Sequence, residues 1–384
     1  MGTMLEAVNE TSGDMASPAA PMEVVLCIDH DALARLRAVI RHLCVGLVDL
    51  NVKLRVVSPS EEAAPLAALG PIQVVRHDPL GWPRTRARMR RVREQISDRR
   101  PSVIYAVSSG SFGLGGYLAD ECGAGLCVGI TAWRDIDALE TLRAGQSALR
   151  VVAGEPLMKR LREREGADVA RQHLIRPGVQ RGTETTCFDE PDRVPSIVCT
   201  SRLETRFGVH VVIDAVERLR DRGHQVLFFF TGAGCDEDAL RRRVNEKRLN
   251  AEVTFARATA EPADILRGAD VLIVPPGDDD ISARPLQAMA NGTVVVCFAG
   301  GCADYFHQGE TAVVCDDRTP AALALGIESL LTDHDYACRL AQSARNYVLR
   351  HHTMSAMSAL TRDALLRAGA EDSVVAAPGG RGPA

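Results

Sequence analysis

One stretch narrows the possible folds more than any other: Val271 to Phe298, VLIVPPGDDDISARPLQAMANGTVVVCF. Its first four residues are an unbroken apolar run, the pattern of a strand buried on both faces of a parallel sheet. Pro275, Pro276 and Gly277 end that run, and Asp278, Asp279 and Asp280 crowd the loop behind it. Ser282 is placed to cap a helix, and Pro285 is tolerated in the first turn, where its missing N–H has no helical partner to lose. Asn291-Gly292 stops the helix, and Thr293 to Phe298 forms the next buried strand. Alternation of this kind belongs to an α/β fold. Ligands of open α/β sheets bind outside the carboxyl ends of the strands. An acidic loop leading into a helix N-terminus at that place suits a sugar and a phosphate held together.

At 384 residues the chain has room for two domains, each with its own core. The formal net charge of −5 leaves no global electrostatic case for a nucleic-acid partner. Eleven cysteines are scattered without a CxxC pair, and Cys27, Cys199 and Cys297 fall in apolar strand-like runs. That is how small buried hydrophobes are used in a reducing, cytoplasmic setting. Cys297 and Cys302 are too isolated to argue for a metal. Residues 1–21 lack the basic and apolar regions of a secretory signal and read as a disordered leader. No apolar run of about 18 or more residues appears, so no membrane-spanning helix is expected. The Ala-, Gly- and Pro-rich residues 369–384 read as a disordered tail.

The chain opens as a βαβ unit: a strand from Glu23 to Ile28, a helical pattern from Ala32 to Leu50, and a strand from Lys53 to Ser58. His30 stands at the first strand's carboxyl end, where it contacts a ligand or caps the helix. After a strand from Ile72 to Arg76, the segment Arg84 to Arg100 is crowded with arginine. Met89, Val92 and Ile96 form a narrow apolar stripe along it at helical spacing. Two readings stand: a surface helix drawn to anionic lipid headgroups, giving peripheral membrane contact, or a solvated helix face. The strand Pro101 to Ser109 carries Ser108 at its end. The glycines that follow, Gly113, Gly115 and Gly116, lack the dinucleotide-fingerprint spacing. Beyond the strand Leu126 to Thr131, Trp133 either stacks on a sugar face or packs at a domain cleft. Residues 181–194 are polar and aperiodic and read as a linker between a first domain, 22–180, and a second, 195–350. A helix pattern at about Pro262 to Gly268 precedes the opening stretch, and a last helix, 351–368, closes the fold.

Gln287-Ala-Met-Ala-Asn-Gly292, with Asp279 eight residues earlier, resembles the donor-binding signature of the retaining GT-B glycosyltransferases of family 4, the glycosyl transferases group 1. That signature is an acid, seven residues, then Glu-Ala-Met-Ala-x-Gly. Arg202-Leu203 and Gly208 resemble the family's Gly-Arg-Leu, three residues, Lys-Gly, with Phe207 at the Lys position and Arg206 one residue before it. Gly232-Ala233-Gly234 resembles the Gly-x-Gly turn, and Gly300-Gly301 the Gly-Gly turn near the nucleotide. Ile175 to Val179 resembles the segment leading into the interdomain linker. The resemblance covers roughly Glu23 to Leu366. It implies an α/β fold of two Rossmann-like domains facing across a cleft, with the C-terminal helix crossing back to the first domain. It also implies a nucleotide-diphosphate sugar as co-substrate, no metal and no other cofactor. Transfer would proceed with retention to a saccharide or lipid-linked acceptor, in polysaccharide or glycolipid biosynthesis.

By position, the resemblance makes Asp279 the catalytic carboxylate that accepts hydrogen bonds from donor-sugar hydroxyls, and Gln287 the ribose contact. Arg202 and Arg206, with the helix start at Ser282 and Ala283, would hold the diphosphate. Arg284 adds a phosphate contact or pairs with Asp280. Gly232, Gly234, Gly300 and Gly301 would line the nucleotide, and His30, Ser108 and Trp133 the acceptor side of the cleft. Three positions depart from the family: Gln287 for an acid, Phe207 for a lysine, and Trp133 where a His often stands. They keep open an alternative, a catalytically silent homologue that binds a nucleotide sugar or a partner enzyme. An epimerase on the same architecture would need acid/base groups for which only His30 and Asp31 are candidates.

Overall fold

The structure is a computed structural model that describes residues 21–79, 85–143, 146–168, 170–182, 187–190, 193–256, 265–266 and 268–375. The leader up to residue 20, Arg84, and parts of the linker lie outside the described residues, as does most of the helix expected at Pro262 to Gly268. Two wholly parallel sheets organise the rest. The first has seven strands in the order β3-β2-β1-β4-β5-β6-β7. They are β1 (Met22–Cys27), β2 (Val52–Ser58), β3 (Gln73–Arg76), β4 (Val103–Ala106), β5 (Gly125–Ile130), β6 (Leu149–Val152) and β7 (Gln172–Leu174). The second has six strands, β10-β9-β8-β11-β12-β13. They are β8 (Ser196–Cys199), β9 (Leu227–Thr231), β10 (Val253–Ala256), β11 (Val271–Ile273), β12 (Val294–Phe298) and β13 (Val313–Cys315).

Helices cover both faces, so the central strands lose the alternation of a half-exposed sheet. All residues of β4, β5, β8, β11 and β12 are buried, as their almost wholly apolar sequences require. In each sheet the chain first builds outward on one side and then returns to the other. The point of reversal lies between β1 and β4 in the first domain and between β8 and β11 in the second, where Leu26 faces Tyr105 and Ile197 faces Val271. These are the places where a doubly wound sheet opens a crevice at its carboxyl edge.

The two edges face each other. The helix Ala283–Asn291 of the second domain packs against α1 (His30–Asp49) of the first. Its Leu286 and Met289, together with Ile281, join the apolar core beneath the first sheet. The last helix, Met354–Val375, packs on α1 and β5. The approach is close: a Cβ at Gly125 would lie 2.2 Å from the Ala368 carbonyl oxygen. The expected return of the chain to the first domain is therefore present. The expected tail starts later than the sequence reading put it, because the helix continues through Gly369 to Val375.

Candidate functional site

Each wall of the cleft is made by residues that leave a strand at its carboxyl end. On the first domain, Asp29 caps α1 by accepting from Ala32 N–H at 2.9 Å. That fixes the first turn and sets Asp31 and, one turn on, Arg35 along the rim. Arg35 is 8 % exposed yet reaches across the cleft, donating from Nη1 to the Ile281 carbonyl at 2.8 Å. The short helix Trp133–Asp137 begins just after β5, and it puts Trp133 and Arg134 on the same rim. On the second domain, Ser201, Arg202 and Glu204 follow β8, the aspartate triplet follows β11, and Ser282 caps the Ala283–Asn291 helix. Asp31, Arg35, Trp133 and Arg134 on one side, and Ser201, Arg202, Arg206, Phe207, the aspartate triplet and Arg284 on the other, line a cavity of about 430 Å³.

The wall is almost fully ion-paired. Arg318 grips Asp279 with both carboxylate oxygens at 2.7 Å and also donates to the carbonyls of Pro276 and Ala299. Asp280 accepts from Arg134 and lies 3.7 Å from Arg35 Nε. Asp278 has no guanidinium at bonding distance among the described residues. Burial pushes its carboxyl up to about 6, against the opposing pull of Arg284. Burial likewise lowers Arg284, which Asp278 partly offsets, and its Nη2 donates to the Ala34 carbonyl at 3.3 Å across the cleft. The sequence pairing of Arg284 with Asp280 is thus replaced by a buried placement between Asp278 and the first domain. Burial also acts to raise Asp31, but Arg35, Arg134 and Arg202 outweigh it and hold the carboxyl below its usual range.

Arg202 and Arg206 converge on Glu204, with Arg206 Nε 2.7 Å from its carboxylate. Both guanidiniums also lie over the Phe207 ring, at 5.9 and 4.7 Å from its centroid. The aromatic residue at the lysine position therefore serves as a platform for two cations. Gly232 and Gly234 hold this loop in place, since Cβ atoms there would meet the Ser201 and Leu203 carbonyl oxygens at 2.1 and 2.2 Å. Gly301 packs on Asp279, whose carbonyl accepts from Cys302 N–H at 2.8 Å, and Gly300 makes the turn with φ +93°.

Of the residues picked out by sequence, Asp279, Arg202, Arg206, Arg284 and Trp133 line the cavity, and Ser282 and Ala283 form the buried helix start behind it. Gln287 is half-buried on the same helix, one turn beyond Arg284, and is not among the cavity's lining residues. Two acceptor-side choices fall elsewhere. His30 is exposed as the first residue of α1, with Nδ1 3.3 Å from Ser60 Oγ. Ser108 is buried and gives its hydroxyl to Asp29. Both serve local structure at the strand ends, and neither lines the cavity. The apolar stripe of the arginine-rich helix α2 (Thr85–Gln95) also turns inward. Val92 and Ile96 are core residues, and Arg86, Arg90, Arg91 and Arg93 face solvent. Sequence reading missed Arg35, Arg134, Glu204 and Arg318. The i, i+4 spacing of Asp31 and Arg35 was a usable signal for the first. Arg318 lies in a loop distant in sequence and carried no signal at all.

Among the described residues no helix is long and apolar enough to cross a membrane, and no group of three or more His, Cys, Asp or Glu is placed to hold a metal.

Comparison with known proteins agrees with this geometry. Residues 187–347 match the family model described as glycosyl transferases group 1. The chain is 27% identical over 216 residues to a glycogen synthase of Mycobacterium tuberculosis, covering 55% of this chain and 52% of the relative. It is 27% identical over 214 residues to a D-inositol 3-phosphate glycosyltransferase of Corynebacterium glutamicum, covering 52% and 50%. The chain thus spans about half the length of these relatives. A GDP-mannose-dependent alpha-(1-6)-phosphatidylinositol monomannoside mannosyltransferase of Mycolicibacterium smegmatis is 26% identical over 323 residues, covering 76% and 83%. Among solved structures, Anabaena Alr3699/HepE in complex with UDP-glucose superposes with a TM-score of 0.74 at 14% identity, covering 90% of this chain and 99% of that one. Sucrose-phosphate synthase from Thermosynechococcus elongatus gives 0.72 at 17%, covering 91% and 100%. The chain accordingly has the GT-B fold of two Rossmann-like domains, and its residues 187–347 are similar to the glycosyl transferases group 1 family.

Proposed function

We propose that the chain is a glycosyltransferase that moves a hexosyl group from a nucleotide-diphosphate sugar, held mainly by the second domain, to an acceptor entering from the first, with retention at the anomeric carbon. The observation that carries this reading is the meeting of Arg202, Arg206 and Arg284 at one cavity, with the capped start of the Ala283–Asn291 helix behind it. When the sugar bond breaks, negative charge grows on the leaving diphosphate. Preorganised cations and helix-start amides act on that charge without reorganising at the moment of reaction. Asp279 accepts hydrogen bonds from the sugar, Gln287 bonds the ribose, and Trp133 offers a face to the sugar or acceptor. The two-domain grip brings donor and acceptor into one frame, which is the larger part of what such a site has to supply. The acceptor is a saccharide or a lipid-linked glycan. The solvent-facing arginines of α2 give the chain peripheral contact with an anionic membrane surface through charge alone, since the apolar stripe is used in the core.

The test is calorimetric titration with uridine, guanosine and adenosine diphosphate sugars, alongside turnover and the anomeric configuration of the product by NMR. Donor binding with transfer and a retained anomer supports the reading. A second reading is favoured by one observation, the bidentate Arg318–Asp279 pair, which occupies the acid assigned to the sugar. In that reading the chain binds a nucleotide sugar without transferring it. Thermal stabilisation by the donor, with neither transfer nor slow hydrolysis across the panel, would select it.

A further inference from the structure

Two stretches of chain join the domains, the linker ahead of β8 and the turn at His352 that follows the helix His334–His351. A cysteine of the linker meets a cysteine of that helix. Cys338 Sγ donates to the Cys187 carbonyl at 3.3 Å, and the two thiols are hydrogen-bond neighbours. We propose that Cys187 and Cys338 are a reversible thiol–disulfide site, where oxidation by a low-molecular-weight disulfide fastens the interdomain linker to the second domain.

The surroundings hold the pair together. Phe188, next to Cys187, stacks on the His334 ring with centroids 4.6 Å apart. His334 and Cys338 are one helical turn apart and share a face, so two adjacent linker residues lie along two successive steps of one helix. The Phe188 N–H donates to Asp270 Oδ1 at 2.7 Å, and Asp270 also accepts from Arg193 and from the Ser196 N–H. These contacts keep Phe188 at φ +54°, a left-handed conformation that is costly for an aromatic residue. The two cysteines are 151 residues apart in sequence, so a bond between them would restrict nearly the whole second domain in the unfolded chain. Proximity alone does not make such a pair. Cys297 and Cys315 sit on adjacent strands, but Cys297 is in register with Val314 and Cys315 with Phe298, which turns them to opposite sides of the sheet.

The two thiols divide the chemistry. Cys338 is half-buried and Cys187 buried, and burial, then the nearness of Cys338, pushes the Cys187 thiol up to about 12. Cys338 is therefore the entry point and Cys187 the resolving thiol. The Cys338 thiolate attacks one sulfur of the small disulfide, whose S–S bond breaks and releases one thiol carrying the proton. Cys187 then gives up its proton and attacks Cys338 Sγ, releasing the second thiol. Two protein thiols are oxidised, one small disulfide is reduced to two thiols, and the protons balance. The small thiolate fraction of Cys187 slows this second step, and its intramolecular geometry offsets the loss.

The test incubates the full chain with oxidised glutathione under native conditions, alkylates the remaining thiols, and reads the cysteine pairings by peptide mass spectrometry. C187S and C338S are treated alike, after melting under reduction to establish that each is folded. The exposed Cys235 takes up glutathione in all three proteins and reports that the reagent is active. A linked Cys187–Cys338 peptide, cleaved by dithiothreitol, is expected in the wild type. C187S is expected to stop at a glutathione adduct on Cys338, and Cys187 in C338S to take up none. The linked chain is expected to melt about 5 °C or more above the reduced one, and its 187–190 amides to exchange about tenfold more slowly. No linked peptide, a lasting glutathione adduct on Cys338 of the wild type, or linkage only in denaturant overturns the site. A linked chain whose 187–190 amides exchange as in the reduced form overturns the fastening of the linker. None of these readouts uses a donor or an acceptor, so the outcome is independent of the proposed transfer activity.

Discussion

Arg202 leaves the end of β8 with one side of its guanidinium on Glu204 and its plane near Phe207. Its Nη1 lies 3.9 Å from Asp31 Oδ1, a looser pairing that an anion in the cavity can replace. Arg202→Ala is expected to weaken a nucleoside diphosphate about 10- to 100-fold, the worth of a hydrogen bond to a charged group, while the nucleoside is unaffected. Paired titrations with uridine diphosphate and uridine check this, and equal losses would make Arg202 structural. Asp279 is a different case, because its carboxylate is bonded to Arg318. If Asp279 acts on the sugar directly, Asp279→Ala abolishes transfer while Arg318→Ala preserves part of it. If the pair only holds the loop, the two variants lose the same turnover and the double variant loses no more. Gln287→Glu restores the acid of the family signature and is expected to tighten nucleotide binding by about 1 kcal/mol, the gap between neutral and charged acceptors. Weaker binding in that variant would mean that Gln287 donates its amide to the ligand instead.

At the scale of elements, the glycines of the second domain are spacing devices. A methyl at Gly232 would sit 2.1 Å from the Ser201 carbonyl, which is backbone and cannot swing aside. Gly232→Ala must therefore push the 201–203 segment, and Arg202 with it, out of register. The expected cost is about 1–3 kcal/mol of stability, typical of overpacking, with a loss of diphosphate affinity comparable to that of Arg202→Ala. Chemical denaturation and calorimetry on the same sample test it, and an alanine variant with wild-type affinity would refute the spacing argument. Most elements followed directly from local pattern. The strand runs, the Ser282 cap and the Asn291-Gly292 stop were all legible, because caps and breakers act within one turn of themselves. The short helix Trp133–Asp137 and β13 were not, since a five-residue helix and a three-residue strand take their stability from neighbours rather than from their own sequence.

For the whole molecule, the junction between the domains is a crossing of two segments. Val179 N–H donates to the His352 carbonyl at 2.9 Å, and His352 Nδ1 lies 2.9 Å from the Pro177 carbonyl. His352 is 1 % exposed, and burial, the leading cause, lowers its pKa to about 4. The unfolded chain thus binds a proton here more readily than the folded one does. This contribution to stability is full above about pH 6.5 and is lost as pH falls toward about 4, amounting to about 2 kcal/mol by pH 5. Asp278, raised by burial to about 6, works in the opposite sense, since its folded form gains stability as pH falls through that value. The His352 part is isolated by comparing wild type with His352→Gln in denaturant melts at pH 7 and pH 5. The variant is expected to lose less on acidification, and identical losses would remove His352 from the account.

The sequence by itself determined the class of fold and pointed to the address of a candidate site. Runs of apolar residues punctuated by Gly, Pro and caps are local signals, and the parallel α/β arrangement places ligands at strand ends whatever the side chains are. It also carried the family signature around Asp279 and Gln287, and with it the expectation of a diphosphate cleft. Tertiary structure alone decided which charges meet. Arg35 and Ile281 are 246 residues apart, and Arg318 and Asp279 are 39 apart. Ion pairing depends on distances of a few ångströms between loops whose paths the local pattern does not encode. The same holds for the apolar stripe of α2, whose spacing is equally suited to a lipid surface and to a core. Only the position of the neighbouring helix settles that it faces inward.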